Sequence, residues 1–300
     1  MNSKSRTWIE LSSDAFFYNI NQIKRIIADM HLAVVLKANA YGHGLLEMGE
    51  LADQCAQISF LCVAFLSEAL MLRKGGVIKP ILVLTYNDDD LSLAINQQIS
   101  FVVDDHEQVY ILHAVAQQHN TVFDVHIKVD TGLTRRGIDS AQVSPFITLV
   151  NQLPHIRITG ICSHFSSAYD IDNTVAQQQA SIFSLVLHEL AQLNFYVPFV
   201  HMTNSSCASI PGCTMVRIGI ASYGYVPKSL GIPLKPVLTL KTRVIQIKEI
   251  PTGTHVGYDR AYCTTRATKL ALLPIGYADG YDTRFTNCGI MHVRGGYAPV

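Results

Sequence analysis

The feature that most constrains the fold is a series of short apolar runs over about the first 220 residues. The first run, residues 32–36, contains no polar residue, as expected of a strand buried on both faces of a parallel sheet. Seven further candidate strands follow, at 60–65, 81–84, 99–103, 123–129, 156–163, 198–202 and 215–218. Most of the gaps between them have helical spacing, for example residues 105–119 and 174–193.

Eight strand–helix units in about 220 residues have the size and rhythm of a (β/α)8 TIM-type barrel. A flat doubly wound sheet is the alternative, but the strand count and the position of the polar residues favour the barrel. The first helix is expected to begin near Ser12 or Ser13, since a serine hydroxyl suits an N-cap. The sequence therefore predicts an α/β fold with a barrel over residues 12–235.

The pattern changes after Pro233. Residues 237–250 alternate in polarity, with a slip at Val244-Ile245 that predicts a bulge. Further short β-like segments follow, separated by Gly, Asn and Asp. We therefore predict a C-terminal β-rich domain over residues 236–300, joined by a strand at residues 6–11.

Composition excludes several classes of function. Lys+Arg and Asp+Glu both number 23, so no basic excess indicates a nucleic-acid or anionic-membrane partner. The N-terminus lacks the apolar core of a signal peptide, and no stretch is long and apolar enough to span a bilayer. The seven cysteines include no Cys-x-x-Cys pair, which predicts reduced thiols in a cytoplasmic protein and no structural metal site.

Functional side chains stand at the predicted strand ends, where the active site of such a barrel forms. In chain order they are Lys37, Lys128, Asp130, Arg135, His164, Asn204, Ser205, Arg217 and Gly219. Taken alone, Lys37 is better explained as a lysine that extends from the barrel rim. Desolvation at a strand end would favour its neutral amine, which can form a Schiff base with an aldehyde.

The residues around Lys37 form a longer motif, Val35-Leu36-Lys37-Ala38-Asn39-Ala40-Tyr41-Gly42-His43-Gly44. This segment is similar to the cofactor-lysine motif of the alanine racemase family, whose members use pyridoxal 5′-phosphate (PLP). The resemblance extends over nearly all of residues 6–300. It implies that Lys37 holds PLP, that Tyr41 donates its hydroxyl to the cofactor phosphate, and that the substrate is a small amino acid.

A second matching segment, residues 128–135, resembles the one that supplies an arginine to the PLP ring oxygen and the substrate carboxylate. The resemblance assigns this role to Arg135, and a shift by one residue would assign it to Arg136. A planar guanidinium suits bidentate capture of a carboxylate. Lys128 matches a lysine that is carbamylated in some members and orients the arginine; otherwise it is an ion partner inside the barrel.

Three more segments of the predicted barrel match the family. The resemblance of residues 163–165 implies that His164 packs on or near the PLP ring. That of residues 201–205 implies that Ser205 binds the phosphate and that Asn204 also contacts the cofactor. Residues 216–220 place Arg217 at the pyridine nitrogen. They also place the backbone N–H groups of Gly219 and Ile220 at the phosphate. Because arginine keeps its own proton, Arg217 would leave the ring a weaker electron sink and limit transamination.

Two segments of the second domain, residues 256–260 and 274–281, also resemble the family. The first implies that Tyr258 is a second catalytic base, and Tyr277 in the other is expected to support the site. Racemisation removes a proton from one face of Cα and returns one to the other, so a base on each face performs it in place. Lys37 would serve the D-enantiomer and Tyr258 of a partner subunit the L-enantiomer, in a homodimer with shared sites.

Family members usually continue beyond Val300. We therefore expect the β domain to be incomplete, with an unpaired strand edge. Weakened dimerisation and reduced or absent activity are expected to follow, and the limiting case is a PLP-binding protein without activity.

Other functions fit less well. A metal-dependent barrel hydrolase would use residues such as His126, Lys128, His164 and His201. It would also need a His-x-His pair at the first strand, where Lys37 stands instead. A PLP carrier would lack the second domain, and a PLP-barrel decarboxylase would pair an acidic residue with the ring nitrogen in place of Arg217.

Among racemases, alanine is the expected substrate, with serine or a broader range as the alternative. The family also implies supply of D-alanine for peptidoglycan.

Overall fold

The structure, a computed structural model, describes residues 5–85, 89–167, 172–206, 210–225 and 231–300. Cys207, one of the seven cysteines, lies outside these ranges, and the other six are free thiols. The chain forms two compact units, Ser12–Val237 and Met1–Leu11 with Leu238–Val300. Within the described ranges, no helix combines the length and apolar character needed to cross a membrane.

The larger unit is a barrel of eight parallel strands, which confirms the predicted architecture. In chain order, the barrel strands are β2 (His31–Val35), β3 (Phe60–Val63), β4 (Ile81–Val83), β5 (Ile99–Val103), β6 (Phe123–Asp130), β8 (Ile156–Cys162), β9 (Phe199–His201) and β10 (Met215–Ile218). From β2 to β9 they are hydrogen-bonded in this order, and β10 pairs with β2. A two-residue strand, β7 (Ile138–Asp139), pairs with β6 outside this path.

Contacts between β9 and β10 complete the ring. The amide of Thr214 donates to the carbonyl of Val200 at 2.9 Å, and the amide of Arg217 donates to that of Thr203 at 3.1 Å. The strands are almost entirely buried because side chains fill the barrel and helices cover it. The apolar runs of the sequence are therefore the strands of this barrel.

Helices alternate with most of the barrel strands. Their bounds are α1 (Ser13–Ile27), α2 (Leu45–Gln54), α3 (Leu66–Lys74), α4 (His106–Gln118), α5 (Val143–Val150) and α6 (Thr174–Gln192). Ser12 is the N-cap of α1, since its hydroxyl accepts a hydrogen bond from the Ala15 amide at 3.1 Å. The buried face of α1 follows helical spacing through Phe16, Ile20 and Ile23.

The smaller unit consists of short antiparallel strand pairs. The strands are β1 (Thr7–Leu11), β11 (Leu238–Thr242), β12 (Gln246–Ile250), β13 (His255–Val256), β14 (Tyr262–Cys263), β15 (Thr268–Leu272), β16 (Ile290–Val293) and β17 (Gly296–Pro299). The pairs are β1 with β11, β12 with β15, β13 with β14, and β16 with β17.

The predicted bulge at Val244-Ile245 is wrong. The segment it was meant to interrupt is two strands, β11 and β12, which pair with different partners. Between them, the Arg243 amide donates to the Arg6 carbonyl at 3.0 Å, whereas the Ile245 amide donates to the Leu272 carbonyl at 2.9 Å. The slip in alternation therefore marks a change of pairing partner and not an extra residue in one ladder.

Candidate active site

A cavity of about 460 Å³ lies at the carboxyl ends of the barrel strands. Ten of the barrel residues predicted for the site line it: Lys37, Tyr41, Lys128, Arg135, His164, Asn204, Ser205, Arg217, Gly219 and Ile220. Asp130 is not among the lining residues, and its Oδ1 instead accepts hydrogen bonds from the amides of Gly132 and Thr134 at 2.9 and 3.1 Å. Arg136 lines the cavity too. Among the described residues that line the cavity there is no aspartate or glutamate. The volume is typical of small-molecule sites, and the excess of cations suits an anionic ligand.

The backbone that follows Lys37 makes a left-handed turn. Ala38, Asn39 and Ala40 have φ of 52–55° and ψ of 44–54°, and Tyr41 has φ of 55°. This conformation costs about 1–2 kcal/mol for each residue that is not glycine, and such strain is concentrated at functional sites. The Asn39 carboxamide accepts from the Leu45 amide at 2.9 Å. The turn carries Lys37 at one end and Tyr41 at the other, both on the cavity wall.

Tyr223 supports this turn from beneath. Its buried hydroxyl donates to the Val35 carbonyl at 2.8 Å, and burial raises its pKa. Its ring packs against Tyr41 and His43 at centroid distances of 5.3 and 4.4 Å. Tyr223 is not among the residues predicted from the sequence, and its position three residues after the 216–220 segment is the one signal that points to it.

Ser205 and Gly219 form a tight corner of the cavity beside Tyr41. The Ser205 hydroxyl accepts hydrogen bonds from the amides of Gly219 and Ala221 at 3.1 and 3.3 Å. A Cβ at Gly219 would lie 2.5 Å from the Tyr41 hydroxyl oxygen, so any larger residue here would force the Tyr41 side chain to shift. Two hydroxyl groups and the backbone that follows β10 thus converge at one end of the cavity.

Arg217 is buried in the cavity wall and held by several partners. Nη1 donates to the His201 carbonyl at 3.0 Å and contacts Nδ1 of the same residue. Nη2 donates to the Ser163 carbonyl at 2.7 Å and lies 3.2 Å from Nδ1 of His164. A guanidinium only donates, so the ring nitrogens that face it are acceptors and both imidazoles are neutral. Burial, together with the charge of Arg217, lowers the pKa of His164 to about 3 and that of His201 well below its usual range.

His126 extends this network into the barrel. The Nδ1 of His126 lies 2.7 Å from Nε2 of His201. Nδ1 of His201 accepts from Arg217, so the ring proton of neutral His201 is on Nε2, which donates to Nδ1 of His126. Nε2 of His126 is therefore protonated, and it has no hydrogen-bond partner among the described residues. Burial and the charge of Arg217 lower the pKa of His126 to about 3. The sequence suggested His126 and His201 only as metal ligands.

The neutral histidines predict acid sensitivity. The pKa values of His126 and His164 are lowered from 6.5 to about 3 in the folded chain, so between these values only the unfolded chain takes up these protons. Their contribution to stability is complete above pH 6.5 and is lost as the pH falls towards 3. The free energy of unfolding should fall by about 1.4 kcal/mol per pH unit for each such histidine.

Urea unfolding at pH 7.5, 6.5 and 5.5 measures this dependence. His126→Gln is expected to flatten the slope below pH 6.5, whereas His188→Gln, at an exposed position, should leave it unchanged. Equal stability at pH 7.5 and 5.5 in the original chain would show that these histidines are not held neutral by the fold.

The two neighbouring arginines have different surroundings. Nη2 of Arg136 forms an ion pair with Asp104 at 2.6 Å, and the Asp104 side chain is only 8% exposed. Arg135 is exposed, and within the described residues its guanidinium has no hydrogen-bond or ion-pair partner. Arg135 is thus the arginine available to a ligand carboxylate. Lys128 is half-buried on the same wall, and burial lowers its pKa.

Tyr258 and Tyr277 lie in the smaller unit. Tyr258 belongs to a single 3₁₀ turn and is 84% exposed, and Tyr277 is 69% exposed. All described residues that line the cavity belong to the other unit, so the structure does not place either tyrosine among them. In the part of the chain that the structure describes, no three His, Cys, Asp or Glu side chains are grouped as a metal ion would require.

Comparison with known families gives a match to both units. Residues 11–227 match the family model of the alanine racemase N-terminal domain, and residues 237–300 match that of the alanine racemase C-terminal domain. An alanine racemase of Halothermothrix orenii is 38% identical over 303 residues, which is 98% of this chain and 79% of that protein.

Solved structures agree with these matches. The alanine racemase of Bacillus anthracis with bound L-Ala-P has a TM-score of 0.86 and 30% identity, covering 100% of this chain and 80% of that one. The alanine racemase of Bartonella henselae with covalently bound pyridoxal phosphate has a TM-score of 0.84 and 26% identity, covering 99% of this chain and 82% of that one.

Proposed function

The chain belongs to the alanine racemase family, and from this premise we propose that it interconverts L-alanine and D-alanine with PLP bound at Lys37. One observation carries the proposal. Residues from separate strand ends, including Lys37, Arg135, His164 and Arg217, line a single cationic cavity. The charges, the lysine and the volume together suit a phosphorylated aldehyde and a small amino acid.

The end of the cavity at Tyr41, Ser205 and Gly219 fits the cofactor phosphate. Both hydroxyl groups can donate to phosphate oxygens, and the missing Cβ at Gly219 lets the backbone approach an anion closely. Ile220 continues this backbone on the cavity wall, and Asn204 lies on the same wall. Lys37, at the other end of the left-handed turn from Tyr41, would hold the aldehyde carbon.

Replacing Gly219 with alanine tests this arrangement. The added Cβ would displace the Tyr41 hydroxyl, so we expect PLP binding to weaken about 10- to 100-fold, the effect of overpacking a tight site. Titration with PLP and with pyridoxal, which lacks the phosphate, measures the effect, and PLP should lose more affinity. Gly296→Ala is the control, because its Cβ would meet nothing closer than 3.6 Å. An unchanged PLP dissociation constant in Gly219→Ala would refute the assignment of the phosphate site.

Arg217 would face the ring nitrogen of the cofactor. When bound, PLP supplies an electron-withdrawing ring that acidifies the Cα–H of an attached amino acid. Arg217 is held by the His201 and Ser163 carbonyls and cannot release a proton at neutral pH, so it would only donate a hydrogen bond to that nitrogen. We propose that this restrains charge delocalisation and favours return of the proton to Cα over transamination.

Arg135 would bind the substrate carboxylate. Its guanidinium has no partner among the described residues, whereas Arg136 is held by Asp104, and bidentate geometry suits a carboxylate. Lys128 lines the same cavity, and as a carbamate it would accept from Arg135 and orient it, which an ammonium group cannot do.

Proton transfer needs a base on each face of Cα. We propose that Nζ of Lys37 removes and returns the proton on the D face. The Tyr258 hydroxyl of a partner subunit would act on the L face, in a homodimer with two shared sites. The 84% exposure of Tyr258 in one chain is compatible with a role towards a partner. In the cell, we propose that the enzyme supplies D-alanine for peptidoglycan in the cytoplasm.

The test is incubation of the purified protein with PLP and one L-amino acid at a time, followed by chiral separation. D-Alanine formed from L-alanine, and faster than D-serine from L-serine, is the expected result. Faster conversion of serine would indicate a serine or broad-specificity racemase. Bound PLP without any D-product would refute racemase activity.

A further inference from the structure

Glu68 connects the active-site lysine to a neighbouring strand end. It lies in the first turn of α3, which follows β3. Its Oε1 accepts a hydrogen bond from the Ala38 amide at 2.7 Å, directly after Lys37. Its Oε2 accepts from the Ala64 amide at 2.7 Å and from the Phe65 amide at 3.3 Å.

The two oxygens have separate tasks. Oε2 satisfies amides at the start of its own helix, as acidic residues in a first helical turn commonly do. Oε1 instead binds the first amide of a left-handed turn in a different part of the barrel, 30 residues away in sequence. The helix cap alone accounts for only one of the two oxygens.

The left-handed turn requires such support. It contains no glycine before Gly42, so local preference favours other backbone conformations. Lys37 and Tyr41 face the cavity together only while the turn is formed. If the turn relaxes, the ligand must restore it on binding. The apparent dissociation constant is then the intrinsic one divided by the fraction of molecules in which the turn is formed.

We propose that Glu68 is a positioning residue for Lys37, whose carboxylate holds the left-handed turn in the geometry that receives PLP. This inference takes PLP as the ligand from the proposed function. It adds Glu68, which does not line the cavity, to the residues that determine PLP binding. A carboxylate is needed because each of its oxygens faces N–H donors. A glutamine side chain would turn its NH₂ group either towards the Ala38 amide or towards the amides of Ala64 and Phe65, and two donors cannot bond to each other.

Glu68→Gln and Glu68→Asp separate the two tasks. In the glutamine variant we expect the PLP dissociation constant to rise about 10- to 100-fold, the range for losing a hydrogen bond to a charged group. The aspartate side chain is shorter and should still cap α3 but not reach the Ala38 amide. It should therefore keep the original melting temperature and share the loss of PLP affinity. Ser12→Ala, which removes the cap of α1, is the control that should leave PLP binding unchanged.

Amide hydrogen exchange of the PLP-free protein reads the turn directly. Exchange at Ala38 should become at least tenfold faster in both Glu68 variants and stay unchanged in Ser12→Ala. The proposal is overturned if Glu68→Gln binds PLP as tightly as the original chain, or if Glu68→Asp restores the affinity. It is also overturned if Ala38 exchange does not respond. Failure of the original chain to bind PLP would instead refute the proposed function.

Discussion

Lys37→Ala is expected to abolish racemisation, with a loss of at least about 1,000-fold, because it removes both the attachment point of PLP and one of two bases. The absorbance of PLP bound to a protein lysine should disappear from the same variant. Lys37 is only partly buried and forms no ion pair within the described residues, so the fold should survive.

The control for this variant is Lys74→Ala, at an exposed position near the end of α3. It should keep both the absorbance band and the activity. Far-UV circular dichroism verifies that both variants are folded. A folded Lys37→Ala protein that still shows the band would mean that another amine, such as that of Lys128, holds the cofactor.

Tyr258→Phe is expected to slow racemisation about 100- to 10,000-fold, the contribution of one acid–base group. The loss must be equal in both directions, since the enantiomers have equal free energies. Exchange of the Cα hydrogen with solvent should differ between D-alanine and L-alanine. In D₂O, Lys37 can still remove and return the proton on its own face, so D-alanine should gain deuterium without inversion, whereas L-alanine should not.

Tyr262→Phe is the matched control, because Tyr262 is a nearby tyrosine that is 43% exposed. It should keep the original racemisation rate and exchange with both enantiomers. Equal deuterium incorporation into both enantiomers by Tyr258→Phe would refute the assignment of one base to each face.

The barrel can be predicted from the sequence because the pattern that encodes each strand–helix unit is local and is repeated along the chain. Each apolar run fits a strand buried on both faces, and the rhythm of strand and helix leaves few topologies. The bounds of β5 and β10 coincide with the predicted runs at 99–103 and 215–218. The bulge at Val244-Ile245 is wrong because alternation does not reveal which partner a strand has.

The candidate cavity was predictable for a related reason, since strand ends of one barrel converge on one face. The left-handed turn after Lys37 was not, because alanine disfavours that conformation and Asn39, which tolerates it, favours it only as a single residue. Its supports come from distant parts of the chain. The Tyr223 hydroxyl binds a carbonyl 188 residues away, and only the folded barrel brings the two together.

The network around Arg217 illustrates a second limit. The sequence presents His126 and His201 as potential ligands of a metal ion, and residue types alone do not separate that role from a hydrogen-bond chain. The distance of 2.7 Å between their ring nitrogens and the position of Arg217 decide the matter, because a guanidinium fixes the protonation of each ring in turn.

Reductive trapping tests whether Lys37 carries PLP. Borohydride treatment of the protein with PLP, followed by proteolysis and mass spectrometry, identifies the lysine that carries the cofactor. We expect one modified peptide, with the phosphopyridoxyl group on Lys37. Modification of Lys128 in its place, or scattered modification of exposed lysines with Lys37 unlabelled, would contradict it.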